Sequence, residues 1–141
     1  MTETLHASCV ARQGRAILIF GRSGSGKSDL ALRLIDRGAM LVSDDYTVVR
    51  RAGDMLLASA PATIQGKIEM RGIGIVERET MSDVPVCLVV SLDNQVERMP
   101  VDLGSYVVAG MALPLLNIGG FEASAPLKVE AALDRFGLPR Q

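Results

Sequence analysis

The sequence predicts an α/β domain over residues 1–141, built on a mixed β-sheet around a phosphate-binding loop. Three observations predict it. Residues 16–20, Ala-Ile-Leu-Ile-Phe, form an apolar run bounded by glycine-containing turns, the mark of a fully buried strand. Residues 21–28 form a Gly/Ser-rich loop that leads straight into a helical pattern. A second apolar run, residues 40–43, closes on Asp44 and Asp45.

Taken in order, residues 5–11 are small and apolar and read as a strand, and Gly14 turns the chain into the run at 16–20. After the loop, Leu30 with Leu34 and Ala31 with Ile35 stack at i,i+4, and Gly38 stops that helix. Met40 to Ser43 is a short strand. Residues 47–49 and 55–58 flank a turn around Gly53 and Asp54 and read as a hairpin. Residues 68–76 are punctuated by Gly72 and Gly74, which suggests a loop or bulge close to another group. Residues 84–92 read as another buried strand. Near the end, Ser124 is placed to cap a helix whose Val129, Ala132, Leu133 and Phe136 share one face, with Gly137 as its stop.

Composition narrows the function. Fifteen Lys+Arg against sixteen Asp+Glu leave a net charge of −1, so no positive excess exists to neutralise a nucleic-acid backbone. No run of 18 apolar residues occurs, which argues against a membrane span, and the first twelve residues lack a basic segment followed by an apolar one. The two cysteines, Cys9 and Cys87, sit far apart in strand-like settings and read as buried thiols of a cytoplasmic protein. The seven methionines fall in apolar runs and read as core filler, with those near Met111 and Leu113 the alternative candidates for a protein-docking surface.

Gly21, Arg22, Ser23, Gly24, Ser25, Gly26, Lys27 and Ser28 match GxxxxGK[ST] in full. The glycines let successive backbone N–H groups point at phosphate oxygens, and the helix N-terminus adds its positive end. Lys27 then reaches the β and γ phosphates, and Ser28 holds Mg²⁺. A helix of about ten residues and a short turn return the chain along the sheet, placing Asp44 and Asp45 at the C-terminal edge where α/β sites form. One carboxylate can serve the metal while the other takes a proton from an attacking hydroxyl. His6, the one histidine, means little on spacing alone, and neither do Glu69 and Arg71.

Together, His6, the loop at 21–28, the segment Leu41-Val42-Ser43-Asp44-Asp45 and the stretch Glu69-Met70-Arg71-Gly72-Ile73-Gly74 resemble the catalytic domain of bacterial HPr kinase/phosphorylase. The last stretch is the most specific, since many proteins with the loop lack it. The resemblance covers residues 5–77, with weaker similarity to about residue 115. It implies a P-loop kinase domain with a nucleotide-binding core like that of PEP carboxykinase. It also implies ATP and Mg²⁺ as cofactors, an HPr-type phosphocarrier as protein partner and a homo-oligomer. By this resemblance Lys27 contacts the transferred phosphate, and Ser28 and Glu69 ligate Mg²⁺. Asp44 is the general base toward the target serine, Asp45 assists at the metal, and His6 bonds to and orients Asp44. Arg71 belongs to the signature loop, and Arg98 matches an arginine that touches the phosphoryl group.

The sequence departs from the family in lacking an N-terminal domain, as short α-proteobacterial forms do, and in a short C-terminal helix. It also lacks arginine in residues 113–122, where the family carries a loop associated with phosphorolysis. Serine kinase activity is therefore better supported than phosphorylase activity. Two other readings stand beside it: a small-molecule P-loop kinase, disfavoured by the lack of an arginine-rich lid, and a regulator that senses nucleotide without transferring phosphate.

Overall fold

The computed structural model describes residues 1–139. The expected first strand is two. β1 (Thr2–Leu5) and β2 (Ser8–Arg12) are separated by a turn in which Ala7 N–H donates to Leu5 O, and this break places His6 at a bend. β3 (Arg15–Phe20) is the buried apolar strand, and α1 (Lys27–Asp36) follows the glycine loop. Gly38, at φ 109°, stops the helix in the left-handed region that glycine occupies at no steric cost.

β4 (Met40–Ser43), β5 (Thr47–Ala52) and β6 (Met55–Ser59) come next, the last two forming the expected hairpin. A turn of 3-10 helix at Ala62–Ile64 leads into β7 (Lys67–Met70) and β8 (Gly74–Glu77), which pair with each other as a separate two-stranded ribbon. β9 (Val84–Ser91) is the central strand. β10 (Gly104–Val108) and β11 (Met111–Asn117) form a hairpin, and α2 (Ala125–Phe136) closes the described chain.

The main sheet runs β1-β5-β6-β9-β3-β2-β4, with β11 on β9 and β10 on β11. β3 and β9 are parallel, as are β9 and β11, while β2 lies antiparallel to both β3 and β4. β3, β4, β9 and β11 therefore all point the same way, and their C-terminal ends share one edge. β9 serves two partners on one side: Val84 and Pro85 pair with β6, and Val89 to Ser91 pair with β11.

Alternation along the strands divides the core in two. Ile17, Ile19, Leu88 and Val90 face α1 and α2, where Leu30, Leu34, Val129 and Leu133 meet them. Ala16, Leu18, Val86 and Val89 face the other way, against Val49, Leu56 and Leu113. The β1-β5-β6 part of the sheet covers this second face, so neither face of β3 meets water. That explains why β3 reads as a continuous apolar run rather than an alternating one. Cys9 and Cys87 fall in opposite layers, and burial pushes the Cys9 thiol up, which keeps it protonated.

Two expectations are corrected. Ser124 occupies the position before α2, but its backbone is helical (φ −82°, ψ −2°), so its hydroxyl makes no cap hydrogen bond; Ala125 N–H donates instead to Glu122 O. Leu113 is buried, and Met111 packs against the same core, so this pair forms no docking surface.

Candidate active site

The loop after β3 is shaped by glycine. Gly24 and Gly26 have φ of 83° and 101°, and Ser25 N–H donates to Arg22 O at 3.0 Å to close the turn. Lys27 opens α1 and folds back across the loop, its Nζ donating to Gly21 O at 2.6 Å and to Arg22 O at 3.4 Å. The ammonium is thereby held in the concavity of the loop, largely buried. Asp93, just past the end of β9, accepts from Arg22 N–H at 2.8 Å and anchors the loop's near side. Sequence reasoning did not single out Asp93; its signal is its place two residues beyond a parallel strand, at the same edge as the loop.

β4 delivers Asp44 to that edge. The carboxylate is only 6% exposed and accepts three hydrogen bonds: Ser28 Oγ at 2.6 Å and Ser8 Oγ at 2.9 Å on Oδ1, and Glu69 N–H at 3.0 Å on Oδ2. Asp44 thus ties together the loop's serine, β2 and the β7–β8 ribbon. Ser8 accepts in turn from Asp45 N–H at 3.1 Å. This buried serine was also missed, because one hydroxyl in an apolar strand carries no motif.

Asp45 turns the other way. Its backbone is left-handed at φ 68°, which sends its side chain outward, and His6 Nε2 lies 2.9 Å from its Oδ1. The His6 ring stacks on Tyr46, with centroids 4.9 Å apart. His6 therefore partners Asp45 and not Asp44, contrary to the sequence expectation. Adjacent residues after a strand present opposite directions, and the bend between β1 and β2 brings His6 to the outward one.

A cleft of about 390 Å³ lies over the loop. Its walls include Lys27, Ser28, Asp45, Glu69 and Arg71, together with Phe121. Arg71 and Ile73 come from the turn of the β7–β8 ribbon, where Gly72 and Gly74 adopt φ of 88° and 116°, so the glycine-punctuated stretch does approach the site. Arg98 does not join this group. It lines a different cavity with Glu97, Asp102 and Lys128, between the segment after β9 and α2.

The segment 117–122 crosses from the end of β11 to the phosphate loop. It contains no arginine, but Arg33 of α1 grips it by donating to the carbonyls of Gly120 and Glu122. A β-carbon on Gly120 would stand 2.6 Å from Ser25 O and 2.9 Å from Leu92 Cδ1. The first of these is backbone and cannot step aside. Gly120→Ala is therefore expected to push the strap off the loop, costing about 1–3 kcal/mol of stability and weakening nucleotide binding. Calorimetric Tm and a nucleotide titration check this; wild-type values for both would show that the strap moves freely.

The donor set suits a hard cation. Ser28 and Asp44 offer adjoining oxygens, and Glu69 lines the same cleft. Among the described residues no cluster of three or more His, Cys, Asp or Glu side chains is built to hold a metal, so a cation here would complete its shell with phosphate oxygens and water, as Mg²⁺ prefers.

Known proteins similar to this chain fall in one family. The family model described as HPr Serine kinase C-terminal domain matches residues 1–118. The HPr kinase/phosphorylase of an Exiguobacterium species is 37% identical over 127 residues, covering 81% of this chain and 41% of that protein. The HPr kinase/phosphorylase of Chlorobium phaeovibrioides is 35% identical over 130 residues, covering 82% and 39%. The chain thus spans about two fifths of the length of these curated relatives. The solved structure of the Hpr(Ser) kinase/phosphatase from Coxiella burnetii superposes with a TM-score of 0.81 at 27% identity, covering 94% of this chain and 88% of that one. The match spans most of the chain, and the chain belongs to the HPr serine kinase C-terminal domain family.

Proposed function

We propose that this chain is an ATP-dependent protein serine kinase whose acceptor is an HPr-type phosphocarrier, working in the cytoplasm with Mg²⁺. The observation that carries the reading is the convergence of Lys27, Ser28 and Asp45 on one cleft at the C-terminal edge of the parallel strands, with the buried Asp44 hydrogen-bonded to Ser28 behind it. Phosphoryl transfer asks for charge neutralisation and in-line placement more than for covalent chemistry, and these groups supply both. The names of these relatives, HPr kinase/phosphorylase, support the acceptor.

In the forward direction the serine oxygen attacks the γ phosphorus, the bond from that phosphorus to the β–γ bridging oxygen breaks, and ADP leaves with the bridging electrons. The serine proton must go to a carboxylate within reach. Geometry favours Asp45, which opens onto the cleft and is oriented by His6, over Asp44, whose two oxygens already accept three hydrogen bonds. Asp44 is better placed to orient Ser28 and to share a metal with it, a division opposite to the one the family resemblance implies. Mg²⁺, when bound, neutralises charge developing on the phosphates. Lys27 holds the β and γ phosphates, and Arg71, on the ribbon turn, faces the incoming acceptor.

Intact-mass analysis of HPr after incubation with the protein and Mg-ATP tests this. One added phosphate mapped to serine is expected. ATP consumption without HPr would point to a small-molecule kinase, and ATP binding without any transfer would point to a nucleotide sensor. Incubating seryl-phosphorylated HPr with inorganic phosphate tests the reverse reaction.

A further inference from the structure

The strands give the cleft a polarity. Relative to β3, which carries the phosphate loop, β4 lies two places to one side of the sheet and β11 two places to the other. The reacting carboxylates come from the β4 side. The strap at 117–122 comes from the β11 side and ends against the loop, where the ring of Phe121 lies 3.1–3.5 Å from the position a β-carbon on Gly26 would take.

Phe121 is unlike the other aromatic side chains. Phe20 packs with Tyr106, Tyr46 stacks on His6, and the Phe136 ring takes Arg135 over its face. Phe121 is 69% exposed, yet it is not at the tip of a loose loop. Arg33 donates to the carbonyls on either side of it, and Glu122 is paired with Lys128 at 3.1 Å. A rigidly mounted ring, open to solvent on the cleft, is a preformed stacking surface.

We propose that Phe121 is the platform on which the base of the bound nucleotide stacks. The proposal rests on the reading of residues 21–28 as a triphosphate site and adds the subsite for the nucleoside. A triphosphate whose γ end faces Asp45 must run its α end, and the base beyond it, toward the opposite flank of the loop. Phe121 stands on that flank. Its contact is with a π-face, so it accepts either purine and leaves discrimination between bases to other groups.

The chain contains no tryptophan, so Phe121→Trp introduces a single emitter. ATP is expected to quench that emission, and tripolyphosphate, which lacks a base, is expected to bind without quenching it. In calorimetric titrations with Mg²⁺, Phe121→Ala is expected to weaken ATP about tenfold and to leave tripolyphosphate unchanged, with Phe121→Tyr restoring ATP affinity. Equal weakening of both ligands would overturn the proposal, reducing the ring to a support for the loop. Wild-type protein that binds tripolyphosphate as tightly as ATP would overturn it while leaving the triphosphate site standing. Failure of wild-type protein to bind either ligand would overturn both readings. Unchanged ATP affinity in Phe121→Ala with a raised KM for the protein acceptor would overturn it in favour of an acceptor contact.

Discussion

Lys27→Ala is expected to lower phosphoryl transfer by about a hundred- to a thousandfold and to weaken Mg-ATP binding at the same time. The side chain lies within the loop rather than beside it, donating to Gly21 O and Arg22 O, so its charge sits where the phosphates must lie. A bound phosphate can take over the ammonium from these carbonyls. Its loss therefore removes attraction in both the ground state and the transition state, which appears as a change in affinity as well as in turnover. Removing it also leaves two loop carbonyls without their donor, so the variant must first be shown to fold, by circular dichroism and Tm. Single-turnover assays and nucleotide titrations decide the rest, and unchanged ATP affinity would take Lys27 out of the phosphate site.

The second large effect separates the two aspartates. Asp45→Asn is expected to reduce turnover at least about a hundredfold, the usual worth of a positioned base, while Mg-ATP affinity stays near wild type. Asn cannot accept the serine proton, but it keeps the shape of the side chain and an oxygen for His6. Asp44→Asn should behave differently. Its carboxylate accepts from Ser28, Ser8 and the Glu69 N–H, and an amide must turn an N–H₂ group toward one of these donors. Nucleotide affinity in the presence of Mg²⁺ should then fall together with turnover. If Asp44→Asn instead keeps full affinity and loses only turnover, while Asp45→Asn transfers normally, the proton belongs to Asp44.

Much of this site is legible in the chain itself. Local chemistry prescribes the glycine loop, because only those residues tolerate its backbone, and the flanking apolar run and helical spacing are signals of short range. The same holds for the hairpin at Gly53 and for the helix ending at Gly137, each announced by residues within a few positions of one another. What escapes is what distant segments decide. Residues 5–11 read as one strand because nothing local shows that β1 must leave for β5 while β2 stays with β3. Ser8 and Asp93 carry no motif, and they become part of the site through strands that bring them to the loop.

The α/β class, the phosphate loop with Lys27 and Ser28, and the paired acids at the end of a strand are all read from local residues. Tertiary structure decided which partners each of those acids meets. Asp44 and Asp45 are indistinguishable as neighbours in a chain, but a left-handed backbone at Asp45 turns one inward to Ser28 and the other outward to His6. It also decided that Arg98 lines another cavity, and that a segment without arginine is held over the loop by Arg33 of α1. The physical reason is common to all of these. A hydrogen-bonded turn or helix is specified by residues a few positions apart, whereas a side chain's partner across the sheet depends on the register and order of strands that burial of both faces selects.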